Sequence, residues 1–259
     1  MDSFIKRLTT GLLLLFTVCV CFYLGGFYSL ILCFILTFLA IGEMTFALEN
    51  ANIKLHIYSL RIVSILILII SHFYGIFFGF LGLLLYMFYL LIDLTFFERV
   101  ELPDILASSF MLLYIAIPFS IMNELTTGKY VFLAFACAWG TDTFAYVFGM
   151  LFGKHRLAPK ISPKKSIEGA VFGTIFSLFV SGFFIYIFKM ENAISLYIIC
   201  FFGSILAQIG DLCASKIKRI SKIKDYGYIF RGHGGVLDRF DSVIFSSVFI
   251  YIVLMIKNM

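Results

Sequence analysis

Charge is what this sequence has least of: only 14% of its 259 residues are Asp, Glu, Lys or Arg. With 62% of the chain hydrophobic, that deficit excludes a disordered segment and an ordinary soluble domain alike. Proline is scarce, at four residues, so few apolar runs are interrupted. Cysteine is limited to Cys19, Cys21, Cys33, Cys137, Cys200 and Cys213, all inside apolar runs and without zinc-ligand spacing. A disulfide framework is thereby excluded, and the thiols read as small packing residues. No connection between apolar runs is long enough to build a core of its own.

What remains is hydrophobic chain, rich in Phe (33 residues). Crossing a bilayer takes about 17–25 apolar residues, and about nine runs meet that length. They fall near Thr9–Gly25, Phe27–Leu48, Ile62–Phe78, Gly79–Phe97, Ile105–Met122, Tyr130–Phe152, Gly169–Phe188, Ala193–Ala214 and Ser242–Ile256. The stretch Ile62–Phe97 would reach about 54 Å as one helix, nearly twice the hydrocarbon thickness. It therefore predicts a hairpin with Gly75, Gly79 and Gly82 near the turn. Lys6 and Arg7 ahead of "LLLLFTVCVCFYLGG" resemble a signal peptide, but no small-x-small cleavage site follows, so this run is kept as the first span. The expected fold is an all-α polytopic integral membrane protein of about nine transmembrane helices with short loops. Residues 1–128 hold the N-terminal helices, and residues 129–259 a C-terminal region with most of the polar motifs.

Of the 20 Lys and Arg, all but Lys129, Lys189 and Lys257 fall on one side of that topology, with the N-terminus and the loops at 49–61, 98–104, 153–168 and 215–241. The positive-inside rule makes that side cytoplasmic and places the C-terminus outside. The basic loops have a bland reading as topology signals and contacts with anionic headgroups. Acidic and glycine residues mixed among them ask for more.

Asp211 sits near the end of the eighth span, and helical spacing puts Ser215, Arg219 and Lys222 on its face. Asp225 follows, then "RGHGG", whose glycines let backbone approach a phosphate closely, then "LDRFD" with Asp238, Arg239 and Asp241. Carboxylates accompanied by several cations suit a magnesium–polyphosphate complex, because magnesium takes oxygen ligands and keeps waters and substrate phosphates in its shell. The competing reading of Asp211 is a helix-end carboxylate paired with Lys218 or Arg219. In the earlier loop, Asp142, Tyr146, Gly149 and Gly153 recur at helical spacing as a polar, small-residue face. "ISPKKS" reads as a helix start, Ser162 as N-cap and Pro163 at the first helical position, with Lys164 and Lys165 completing an anion site. Glu168 suits a helix dipole as well as it suits catalysis. Glu43, Glu49, His72 and Asp93 are isolated and read as interhelical partners or interfacial residues. Trp139 and the Phe residues read as packing.

These residues resemble the phosphatidate cytidylyltransferases, also called CDP-diacylglycerol synthases. The family's C-terminal signature falls on Ser215, Lys218, Arg219, Lys224, Asp225, Gly227, Gly232, His233, Gly234, Gly235, Asp238, Arg239 and Asp241, with Arg231 where the family usually has Pro. The likeness extends to "GDL" at Gly210–Leu212 and to the segment from Asp142 to Gly173. It implies a catalytic region at 129–259 that joins CTP to phosphatidic acid, giving CDP-diacylglycerol and pyrophosphate with magnesium. It also implies roles. Asp211 and Asp238 would hold the metal, with Asp225 and Asp241 assisting. Lys218, Arg219, Lys224 and Arg239 would neutralise phosphates, and Gly232, His233, Gly234 and Gly235, with Ser215, would shape the nucleotide site. Asp142, Ser162, Lys164 and Lys165 would close it. The setting implied is a bacterial inner (cell) membrane, the site facing the cytoplasm, with membrane lipids and a second copy of the chain as partners and no nucleic acid. A related CTP-dependent transferase acting on another lipid phosphate is the nearest alternative. A transporter would instead show a polar path through the whole bilayer.

Overall fold

A backbone with no water around it must satisfy its own N–H and C=O groups, so long apolar runs in lipid become helices. The computed structural model describes residues 2–53, 55–97, 100–229 and 234–257, with side chains from Gly11 onward. Nine helices form among them: α1 (Asp2–Leu24), α2 (Gly26–Glu49), α3 (Ile57–Tyr74), α4 (Ile76–Phe96), α5 (Leu102–Glu124), α6 (Val131–Phe152), α7 (Ile167–Ile187), α8 (Ala193–Ile220) and α9 (Leu237–Lys257). Eight, α2 to α9, are long and apolar enough to cross a membrane, and α1 adds the apolar stretch Gly11–Leu24. The chain is thus an all-α integral membrane protein. All six cysteines are free.

Two departures from the expected boundaries have clear causes. The α3–α4 hairpin turns at Gly75, whose φ of 90° is in the left-handed region. Gly79 and Gly82 instead lie inside α4, packed against Ser71 and Ile67 of α3. Arg61, expected in a loop, lies inside α3 because that helix starts at Ile57; its guanidinium is 4.1 Å from the centre of the Phe38 ring.

The chain divides into two units, Met1–Thr126 with Ile220–Arg239, and Thr127–Arg219 with Phe240–Met259. In the first, Ser29 of α2 donates to Asn123 of α5 (2.7 Å), whose amide donates to His72 Nδ1 of α3 (2.9 Å). His72 is an interhelical partner, as its isolation implied. Both α5 and α6 contain a π-helical stretch, Leu112–Ala116 just ahead of Pro118 and Ala136–Gly140 just ahead of Asp142. A proline cannot donate to the carbonyl one turn back, which accounts for the first.

In the second unit α6 and α7 meet backbone to backbone. A Cβ on Gly169 would stand 2.6 Å from the Ala145 carbonyl oxygen, and one on Gly173 would stand 2.8 Å from that of Thr141. Beside this glycine seam runs a ladder of rings, with Phe148 4.6 Å from Phe176 and 5.1 Å from Phe172 between ring centres. Gly169→Ala is expected to force the helices apart at a cost of about 1–3 kcal/mol. Thermal unfolding in detergent checks it; an unshifted midpoint would show that the seam yields without cost.

The segment between α6 and α7 corrects another expectation. Ser162 is not a helix N-cap: Ser162–Ser166 is a strand, β2, paired antiparallel with β1 (Arg156–Ala158). Pro163 suits an extended strand as well as a first helical turn, and the helix begins four residues later, where Ser166 accepts from the Gly169 N–H at 3.1 Å. Glu168, in that first turn, accepts from the backbone N–H of Lys154 (3.0 Å) and pairs with His155 Nδ1 (2.6 Å). It therefore ties down the start of the hairpin.

Candidate active site

The second unit holds a cavity of about 640 Å³ lined by several charged side chains. Asp142 comes from the first turn of α6 after its π stretch, Lys164 and Lys165 from β2, Arg156 from β1, and Gln208 and Asp211 from one face of α8. Lys165 Nζ donates to Asp211 Oδ2, and both side chains are largely buried. Burial pushes the Lys165 ammonium below the ordinary lysine range, while Asp142 and Asp241 pull it back up and Lys218 pushes it further down. Lys165 is therefore paired with Asp211 and feels the charge of Asp142 and Asp241 as well. Ser242 fixes Asp142 by donating at 3.1 Å, and its own N–H bonds Asp241 Oδ1 at 2.8 Å. Gln208 is held by Thr174, to which it donates at 2.9 Å.

The first unit builds a second arrangement around Glu43 of α2 and Asp238 of α9. Glu43 Oε1 accepts from the Val236 N–H (2.8 Å) and Oε2 from the Leu237 N–H (2.9 Å), at the positive end of the α9 dipole. Asp238 Oδ2 accepts from the N–H groups of Tyr226 (2.8 Å) and Gly235 (2.9 Å). The chain must run tight against both carboxylates. A Cβ on Gly227 would stand 2.6 Å from Glu43 Oε1, one on Gly235 would collide with the same carboxylate, and Gly234 has a φ of 81°. Gly227, Gly234 and Gly235 are thus explained by the acids they pack against.

Asp142, Lys164, Lys165 and Asp211 come together as lining of one cavity, with Asp241 and Lys218 acting on Lys165. Asp238, Gly234 and Gly235 come together in the other unit. Ser162, on β2, is not among the lining residues. Ser215 is half-buried on α8 and Arg219 exposed at its end; Lys224 and Asp225 lie in the following loop, and Arg239 is half-buried in the first turn of α9. Gly232 and His233, with Arg231, lie outside the described residues. Sequence reasoning gave no site role to Arg156, Gln208 or Glu43. For the last two the available signal was a polar side chain inside an apolar helix, one helical turn from Asp211 in the case of Gln208.

Among the described residues no three Asp, Glu, His or Cys side chains form a metal cage by themselves. Magnesium commonly takes one or two carboxylates and completes its shell with water and substrate phosphates. The all-oxygen acids here fit a metal that arrives with a polyphosphate.

A family model described as "Cytidylyltransferase family" matches residues 5–257. The chain is 34% identical over 163 residues to the phosphatidate cytidylyltransferase of Rickettsia conorii, covering 59% of this chain and 70% of that protein. It is 36% identical over 126 residues to that of Bacillus subtilis, covering 48% and 47%. To that of Staphylococcus haemolyticus it is 40% identical over 117 residues, 45% of each. The matched stretch is thus about half the length of the Bacillus and Staphylococcus proteins. A match that runs nearly end to end settles the membership: this chain belongs to the cytidylyltransferase family of CTP-dependent enzymes.

Proposed function

We propose that the protein transfers CMP from CTP to phosphatidic acid, giving CDP-diacylglycerol and pyrophosphate, at the cytoplasmic face of a bacterial cell membrane. The observation that carries this reading is the Lys165 ammonium paired with Asp211, under the charge of Asp142 and Asp241, in a cavity whose wall also bears Asp142, Arg156 and Lys164. Tyr146 and Met150, both well exposed on α6, line the same cavity, so an acceptor with apolar chains can present its phosphate there.

In the reaction an oxygen of the lipid phosphate monoester forms a bond to the α-phosphorus of CTP. The bond from that phosphorus to the β-phosphate bridging oxygen breaks, and pyrophosphate leaves with the electron pair. A monoester whose second ionisation lies near pH ~6 is mostly dianionic at neutral pH, so no strong base is required. The work is to bring two anions together and stabilise the departing one. Lys164 and Arg156 supply positive charge at the cavity wall, and Lys165 holds the carboxylates in register. By the family signature Asp211 and Asp238 would hold magnesium, which when bound offsets negative charge on the phosphates. The glycine-rich loop, whose Gly234 and Gly235 pack on Asp238 and Glu43, would shape the nucleotide site.

The test is transfer of labelled CMP from CTP into lipid by purified protein in detergent. Phosphatidic acid is expected to be labelled in the presence of magnesium, and chelation to reduce labelling to background. Labelling of a different lipid phosphate in preference to phosphatidic acid would reassign the acceptor, and no lipid-linked nucleotide from any acceptor would end this reading.

A further inference from the structure

Away from these groups, the first unit contains a cavity of about 320 Å³ where the start of α3 meets the end of α4. Its buried wall carries Asp93, which is 6% exposed. No side chain among the described residues donates a hydrogen bond or an ion pair to its carboxylate. Around the opening stand Tyr58 and Tyr89, 79% and 57% exposed, with Ser59 and His56 beside them. Ser59 and Tyr86 share a hydrogen bond of 2.9 Å, and Tyr86 stacks on Tyr89 at 6.1 Å between ring centres, so the tyrosine wall is braced from behind.

A nearly buried carboxylate with no cation on it among the described residues is costly unless something positive reaches it. The space beside it is large enough for a small group, and tyrosine faces favour cations, above all ammonium groups. Both helices are candidate spans, with Tyr58 in the first turn of α3 and Asp93 in the last turn of α4, so the cavity opens at headgroup depth. Exposed tyrosines are characteristic of that depth. We propose that this cavity binds an ammonium group at the membrane interface, its charge against Asp93 and its flanks against Tyr58 and Tyr89. An ethanolamine-type lipid headgroup and a free small amine share that chemistry. The inference is independent of which lipid phosphate the enzyme uses.

Native mass spectrometry of the full chain in detergent tests it, with short-chain phosphatidylethanolamine, the same lipid with its amine acylated, and free ethanolamine as probes. The free-amine lipid is expected to be retained about tenfold or more above the acylated one, and Asp93→Asn to remove that preference. Tyr58→Leu, at an exposed position that folding does not depend on, is expected to weaken retention about threefold. Competition by free ethanolamine assigns the site to amines in general, and its absence assigns it to the lipid. Equal retention of the two lipids by the wild-type protein, or an Asp93→Asn variant that keeps the full preference, overturns the proposal.

Discussion

Asp211→Asn is expected to lower CMP transfer at least about a hundredfold. The amide is isosteric, so the variant keeps the packing of α8 while removing the charge that faces Lys165. Two consequences combine. Lys165 loses its direct partner and is drawn toward Asp142 and Asp241, and the cavity loses a carboxylate suited to a metal that arrives with the nucleotide. The stability cost is smaller than the about 3–5 kcal/mol of a fully buried broken pair, because the Asp211 and Lys165 side chains keep 21% and 27% exposure. Lys165→Met is expected to give a loss of similar size by the opposite route, leaving Asp211 without its partner and Asp142 and Asp241 without that nearby positive charge. If the four groups act as a unit, the double variant is little worse than either single one. Losses that multiply would instead show Lys165 and Asp211 working separately. Melting curves for all three variants keep a folding defect apart from a chemical one.

Much of this architecture is legible in the sequence because lipid leaves a backbone few choices. Eight of the nine expected spans reappear as long apolar helices, with ends displaced by a few residues. What the sequence does not reveal is which member of a set of similar residues takes a special position. Gly75, Gly79 and Gly82 are equivalent as letters; only Gly75 adopts a left-handed φ, and the other two serve close packing of α3 on α4. Ser162 and Ser166 are both credible caps. The strand pairing of Arg156 with Ser166 decides for the second, and that pairing is a tertiary fact. The site shows the same division. Acids and lysines of the two loops are visible as clusters, and Asp142, Lys164, Lys165 and Asp211 do meet. The identity of the Asp211 partner is not visible, since Lys218 and Arg219 are near in sequence while Lys165 is 46 residues away.

The residue that local reasoning was least able to place is Glu43, and its replacement is the second large effect. Val236 and Leu237, whose N–H groups Glu43 accepts, are 193 and 194 residues along the chain, beyond any spacing argument. Glu43→Ala leaves both N–H groups buried at the start of α9 without an acceptor, costing roughly 1–3 kcal/mol for each. It also opens space against Gly227 and Gly235, which pack on the carboxylate. The loop ahead of Asp238 is then no longer held, and CMP transfer is expected to fall about a hundredfold or more, although Glu43 need not touch either substrate. Glu43→Gln keeps the shape and one acceptor oxygen but turns an N–H₂ toward a backbone donor, so an intermediate loss of about tenfold is expected. Gly235→Ala attacks the same contact from the other side and should resemble Glu43→Ala. Hydrogen exchange distinguishes this positioning role from general destabilisation. The Val236 and Leu237 amides should lose protection in Glu43→Ala while amides in the middle of α6 and α7 keep theirs. Protection that survives at Val236 and Leu237 would mean that α9 holds its own N-terminus, and the carboxylate on α2 would need another explanation.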